Sequence, residues 1–156
     1  MIIVDLPDPE SEDIAKLYSV AFYERIARRL AAGGVMVTQA TSPWFSRRAF
    51  WSIGETLSAV FEGVRPATVY VPSFGLWGFF IAADHSLNKP LRPPIEAHYF
   101  GQETLQAILE LPRDLPRQQV SINHSQSLPI IEYYREGWQS LNNGIAPGDV
   151  SEDDGN

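Results

Sequence analysis

The chain is 156 residues long, with 44% hydrophobic and 20% charged residues, no cysteine, and a net charge of -7 from 12 Lys and Arg against 19 Asp and Glu. That size and composition describe one globular core rather than two and exclude a fibrous or wholly disordered chain. The lack of cysteine excludes disulfide frameworks, thiolate zinc sites, iron–sulfur clusters and cysteine nucleophiles.

A net-negative protein gains no counterion-release energy from phosphate backbones, which argues against a nucleic-acid partner. No apolar stretch reaches the roughly 20 residues that span a bilayer, and no basic-then-apolar leader precedes Asp5. The expectation is a cytoplasmic protein with no membrane span in this chain.

In chain order, Ile2-Ile3-Val4 is a short apolar run that ends at Asp5-Leu6-Pro7-Asp8-Pro9, as a buried strand entering a loop does. Ile14, Leu17, Tyr18, Ala21, Phe22, Ile26 and Leu30 recur at helical spacing and predict one amphipathic helix over 12–31, stopped by Gly33-Gly34. Val35-Met36-Val37-Thr38-Gln39 reads as a second buried strand. Phe50, Ile53, Leu57, Val60 and Phe61 form the stripe of a second helix ending near Gly63. Thr68–Val71 and Trp77–Ala83 read as a hairpin joined through Pro72-Ser73-Phe74-Gly75. Residues 84–98 are Pro-rich and irregular, and shorter helices are expected over 102–111 and 129–139. Residues 141–156 read as an acidic, disordered tail, since Asp149, Glu152, Asp153 and Asp154 have no basic residue among them. Strands alternating with helices imply an α/β fold with a parallel sheet, and the hairpin adds antiparallel strands to it.

Ligands of parallel α/β sheets collect at the carboxyl ends of the strands. Asp5 and Asp8 follow the first strand there; Gln39, with Ser42 nearby, follows the second. Two carboxylates three residues apart can hold a cation or divide acid and base roles. They can equally make Asx turns beside their prolines and cap the next helix, and the residues alone leave both readings open. His85, His98 and His124 lack metal-ligand spacing, and neither a nucleophile elbow nor a phosphate loop is present. Trp44, Phe45, Phe50 and Trp51 around Arg47-Arg48 read as core and a helix start, and Trp77-Gly78-Phe79-Phe80 as sheet packing.

Asp5-Leu6-Pro7-Asp8-Pro9 resembles the D-x-x-D-P loop of spermidine synthases, the polyamine aminopropyltransferases. The likeness continues in order. Leu17-Tyr18-Ser19 to Phe22-Tyr23 is similar to that family's L-[YF]-[ST]-x-x-F-Y helix, and Gly33 to Ala40 to its G-G-x-x-x-x-Q-x strand, with Ser42-Pro43 following. Tyr70 to Phe79 resembles the closing hairpin. Leu111-Pro112-Arg113-Asp114 and Tyr133-Tyr134-Arg135-Glu136-Gly137-Trp138 resemble the C-terminal part of bacterial members, especially those with an N-terminal membrane region. The resemblance covers about residues 2–140 and marks 1–140 as a partial catalytic domain.

The resemblance implies the C-terminal half of a Rossmann-like methyltransferase fold, closed by an antiparallel hairpin and lacking the N-terminal donor-binding strands. It implies aminopropyl transfer from decarboxylated S-adenosylmethionine, a co-substrate rather than a tightly bound cofactor, to putrescine or a similar amine, without a metal. Carried over by position, Asp5 is the catalytic base, Asp8 holds the cationic end of the polyamine, and Gln39 positions the amine. Tyr70 and Phe74 stand in the hairpin as substrate-binding residues. Phe74 takes the place of a tyrosine found in many members, in a connector two residues shorter. No glycine-rich donor turn precedes Asp5. The first strand is therefore expected at a sheet edge, with self-association or pairing with a separately encoded N-terminal half. A non-catalytic binding or assembly module, a truncated gene product, and a fragment of an S-adenosylmethionine-dependent methyltransferase are the competing readings.

Overall fold

A computed structural model of the chain describes residues 1–88, 92 and 97–142. The acidic tail beyond Asn142 and most of the Pro-rich stretch over 89–96 lie outside the described residues. The elements are β1 (Ile2–Val4), α1 (Glu12–Ala15), a 3-10 turn (Lys16–Tyr18), α2 (Val20–Ala27), β2 (Val35–Gln39), α3 (Arg47–Ser58), β3 (Gly63–Val71), β4 (Gly75–Ala83), α4 (Gln102–Leu109) and α5 (Pro129–Asn142). The four strands form one sheet in the order β1-β2-β4-β3. β1 and β2 are parallel; β4 runs antiparallel to both β2 and β3. The mixed α/β sheet follows the expected architecture, with the hairpin inserting its second strand beside β2.

One sheet face builds the core. Met36 and Thr38 of β2 and Phe80 and Ala82 of β4 are essentially fully buried there. They meet Phe50, Ile53 and Leu57, which recur along one side of α3 and are also fully buried. Each such large apolar side chain contributes about 1.5–3 kcal/mol when withdrawn from water. Phe50 stacks on Phe80 with ring centroids 4.6 Å apart, and Gly78 makes room for this contact. A Cβ on Gly78 would stand 2.6 Å from the Phe50 ring and 2.8 Å from the Thr41 carbonyl.

The single helix expected over 12–31 is broken. Ser19 is extended (φ -89°, ψ 160°) and caps α2 by accepting from Phe22 N. The break is held by groups distant in sequence: Val20 N donates to Asn123 O at 3.0 Å, and Asn123 Nδ2 donates to Ala15 O at 2.8 Å. Asn123 is fully buried, and its own N–H donates to Thr56 Oγ1 on α3. Apolar periodicity runs through the break unchanged and gives no sign of it. The helical hydrogen bonds given up at Ser19 are replaced by a loop about a hundred residues away. α2 also ends short of 31, and Gly33 takes the positive φ (71°) expected of a stop.

Both hairpin strands are longer than expected. β3 begins at Gly63, ahead of the expected Thr68, and runs through Pro66; as an edge strand it can hold a residue that has no N–H to give. At the opposite edge, β1 leaves Ile3 68% exposed.

The C-terminal segment returns along α3. Trp51 Nε1 donates to Pro116 O, Ser52 Oγ donates to Ser121 O, and Arg117 pairs with Glu55. α5 then packs on α3 through a close approach at Gly137, where any Cβ would run into the Phe45 carbonyl. Arg48 bonds Glu136 at 2.7 Å and lies over the Tyr133 ring, 4.0 Å from its centroid. This docking fixes which α5 side chains face the carboxyl ends of β1 and β2.

Candidate functional site

Because β1 and β2 are parallel, the loops that leave them open on the same side of the sheet. Between them lies a cleft of about 440 Å³. Its floor and one wall are Asp5, Leu6, Pro7, Asp8, Glu10 and Gln39; Val71, Phe74 and Trp77 of the hairpin make the other wall. Among the described residues three that line it are acids and none is basic.

Gln39 is the centre of the arrangement. Its Oε1 accepts from Thr41 N at 2.7 Å and from the Trp77 indole N–H at 3.1 Å. Both partners are obligate donors, so the amide orientation is fixed, with Nε2 toward the Asp loop. Nε2 donates to Leu6 O (2.8 Å), the Tyr18 hydroxyl (2.8 Å) and Asp8 Oδ1 (3.1 Å), three acceptors sharing two hydrogens. Tyr18, fully buried, passes its own proton to Pro7 O at 2.9 Å. Two carbonyls and one carboxylate of the D-x-x-D-P loop are thus tied to β2 and to the 3-10 turn. Thr41 adopts φ 56°, a conformation that β-branched residues rarely take. It sits in a bulge in which Ala40 and Thr41 together face Gly78: Ala40 N donates to Gly78 O and Gly78 N donates to Thr41 O. The bulge turns the Thr41 N–H and hydroxyl toward Gln39 and Asp8.

Asp8 is half-buried and receives donors only. Besides Gln39, Tyr134 OH donates to Oδ2 at 3.1 Å and Thr41 Oγ1 approaches the same oxygen at 3.4 Å. Burial nevertheless raises its pKa above the usual carboxylate value; the three donors oppose the rise and Glu10 adds to it. Tyr18 and Tyr134 are both pushed upward, chiefly by burial and then by the Asp8 charge, so both hydroxyls stay protonated donors.

The expected site residues divide. Asp5, Asp8, Gln39 and Phe74 all line the cleft. Asp5 is exposed at its opening, and Phe74, 60% exposed, tilts against Trp77 with centroids 5.3 Å apart. Tyr70 does not belong with them. Side chains alternate along β3, so with Val71 on the cleft side its neighbour Tyr70 points away and is 69% exposed. Gln39 lines the cleft with both lone pairs and both hydrogens already engaged. Ser42 serves the backbone, donating to Leu76 O and accepting from Trp44 N. Among the described residues no group of three His, Asp or Glu is arranged to hold a metal ion, and no helix is long and apolar enough to cross a membrane.

Sequence reasoning missed Tyr18, Thr41, Trp77, Tyr134 and Glu10 as parts of the site. Trp77 reads as sheet packing, and Tyr134 lies 126 positions from the carboxylate it meets.

The model of the spermine/spermidine synthase domain matches residues 1–90. The chain belongs to this family. Polyamine aminopropyltransferase 2 of Ralstonia nicotianae is 36% identical over 143 residues, covering 89% of this chain and 28% of that protein. The polyamine aminopropyltransferase of Leptospira interrogans is 32% identical over 141 residues, 90% of this chain and 28% of its own length. The crystal structure of spermidine synthase from Thermotoga maritima superposes with a TM-score of 0.53 at 20% identity, covering 64% of this chain and 37% of that one. A second solved spermidine synthase, in complex with the transition-state analogue AdoDATO, matches with the same score. The fold is therefore part of a Rossmann-like, methyltransferase-type domain, and the chain spans little more than a quarter of the length of these curated relatives.

The state of Asp8 can be read from stability. A carboxyl with a raised folded-state pKa stabilises the fold at low pH and loses that contribution as pH rises through the folded pKa. Asp8→Asn stays neutral throughout. Its Tm relative to the parent is expected to climb as pH rises from the unfolded carboxyl value of about 3.9 through the raised folded value, and to be level below about pH 3, where Asp8 is neutral in both states. A pH-independent difference would mean that burial does not penalise the Asp8 charge.

Proposed function

We propose that the cleft is the amine-acceptor side of an aminopropyltransferase site. The observation that carries this reading is a cleft with three acids and no basic residue, walled by Phe74 and Trp77, at the strand ends of a chain from this family. A diamine is a slim apolar chain with a cation at each end. Carboxylates attract and orient the ends, and aromatic faces suit both the methylenes and the ammonium groups.

In the proposed reaction, putrescine or a similar amine enters with one ammonium at Asp8 and Glu10 and the other at Asp5. Asp5 takes a proton, leaving a nitrogen lone pair. That pair attacks the aminopropyl carbon next to the sulfonium of decarboxylated S-adenosylmethionine. The carbon–sulfur bond breaks with its electrons going to sulfur, which leaves as the neutral thioether methylthioadenosine. Gln39 acts through the loop: its amide is saturated, so it shapes and aims Asp8 rather than binding amine itself. Phe74 covers the methylene chain. The family's solved relative carries AdoDATO, which supports decarboxylated S-adenosylmethionine as donor.

The free edge of β1, with Ile3 exposed, supports association with a second copy through that strand. Sedimentation velocity at micromolar concentration should show a dimer that Ile3→Lys dissociates, whereas a monomer at all concentrations would contradict a strand partner of this kind.

The chemistry is tested by methylthioadenosine release from decarboxylated S-adenosylmethionine plus putrescine. Asp5→Asn is expected to lower turnover by about 10²–10⁴-fold, the usual worth of a positioned base, and Asp8→Asn to raise KM for putrescine more than it lowers kcat. Release that Asp5→Asn leaves unchanged would remove Asp5 from the reaction.

A further inference from the structure

The proposed reaction uses Asp5, Asp8, Glu10 and Phe74 directly and Gln39 through the loop, but it gives no role to Tyr134, a C-terminal side chain that reaches the cleft's acids. Tyr134 is 7% exposed and comes from α5, the last described element. Its hydroxyl donates to Asp8 Oδ2 at 3.1 Å and stands 3.5 Å from Glu10 Oε1. One proton donor therefore serves two neighbouring carboxylates. Its position is set by the seat of α5 rather than by the Asp loop. The Tyr134 ring meets Trp138 edge-on at 6.1 Å; Trp138 stacks on Phe45 at 6.0 Å, and Gly137 lets the helix close onto the Phe45 backbone.

We propose that Tyr134 is a positioning residue for the amine site: its hydroxyl fixes the orientation of the Asp8 carboxylate, so that the docked C-terminal helix sets the cleft's affinity for a cation. This rests on the amine-acceptor reading for its ligand, while the hydrogen bond itself does not depend on that reading.

The geometry makes the proposal specific. Asp8 is faced by Gln39 and Thr41 from the end of β2, by Tyr18 from the 3-10 turn, by Tyr134 from α5, and by Glu10 from its own loop. Gln39 holds Oδ1. Among the described residues Tyr134, at 3.1 Å, is the nearer of the two donors to Oδ2, Thr41 being at 3.4 Å. Without the Tyr134 hydroxyl, Oδ2 has no strong donor, while the Glu10 charge still acts on it. The carboxylate then becomes easier to protonate and freer to turn from the cleft. Removing the Glu10 charge should act in the opposite sense. A tyrosine that merely filled space would leave the Asp8 titration unmoved when its hydroxyl is removed, while the Glu10 effect would persist as the control for charge.

The test uses the full chain and two readouts. The first needs no ligand: the Asp8 carboxyl is titrated by carbon-13 NMR in the parent, Tyr134→Phe and Glu10→Gln. Tyr134→Phe is expected to move the Asp8 titration to higher pH, Glu10→Gln to lower pH, and the double variant to return toward the parent. The second readout is calorimetric titration with putrescine between pH 5 and pH 8. Tyr134→Phe should weaken binding about tenfold, the worth of one hydrogen bond to a charged group. The acid-side loss of affinity should move with the Asp8 titration. In the parent chain, the Tyr134 ring carbon that bears the hydroxyl must shift in step with Asp8, which keeps the proposal testable even if the Phe variant fails to fold. An Asp8 titration unmoved by Tyr134→Phe, or a Tyr134 signal that ignores Asp8, overturns the inference even where putrescine binds. If Asp8 moves as expected but putrescine binds to none of the chains, the positioning contact stands and the amine reading is what fails.

Discussion

The Gln39 side-chain amide is the joint on which the site depends. It satisfies the Thr41 N–H and the Trp77 indole on one side, and on the other it ties Leu6 O, Tyr18 OH and Asp8 Oδ1 to the end of β2. Strand β1 is only three residues long and ends at a sheet edge, so it cannot hold the following loop by ladder bonds alone. The amide supplies what the strand lacks. An isosteric Glu could not, because a carboxylate has no hydrogens to give the Leu6 carbonyl and the Tyr18 hydroxyl and would meet Asp8 as a like charge.

That joint also explains why a half-buried carboxylate is tolerated. Asp8 pays a desolvation cost that raises its pKa, partly offset by donors from β2 and α5. Among the described residues no basic side chain lines the cleft to complete the compensation. A half-buried carboxylate in this condition suits a cation from solution, and with the exposed Asp5 at the opening and aromatic rings between, the cleft is suited to the proposed ligand, an apolar chain with a cation at each end. The same incomplete compensation ties stability to function: neutralising Asp8 should relieve the fold at neutral pH while impairing the proposed binding.

Local signals reveal some of this and not the rest. The strands Ile2–Val4 and Val35–Gln39, the stripe of α3 and the hairpin were legible because apolar runs and helical spacing report burial directly. The family resemblance, carried by the Asp loop and the Gln39 strand, agrees with the match over residues 1–90. The break at Ser19 was not legible, because Asn123 causes it from elsewhere in the chain. The first residues of β3 were hidden by Pro66, whose tolerance depends on an edge position that only the assembled sheet defines. At the site, Asp5 and Asp8 were found because they stand in the loop that leaves the first strand, whereas Glu10, further along that loop, was not. Tyr70 was placed in it by proximity, although alternation along β3 turns it outward. Gln39 was read as an amine ligand, since one sequence cannot show that its amide is already saturated. Tyr134 required the return of α5 over α3, a tertiary fact with no local signature.

The cleft is proposed to recognise a cation with two charged ends. Calorimetric titration of the chain with putrescine and with butylamine, which keeps the four-carbon chain and removes one charge, tests it most directly. Putrescine should bind at least about tenfold more tightly at neutral pH, since loss of one charge-assisted contact is worth that much or more, and Asp8→Asn should erase the difference. Equal affinities for the two amines, or a preference that survives Asp8→Asn, would contradict the account.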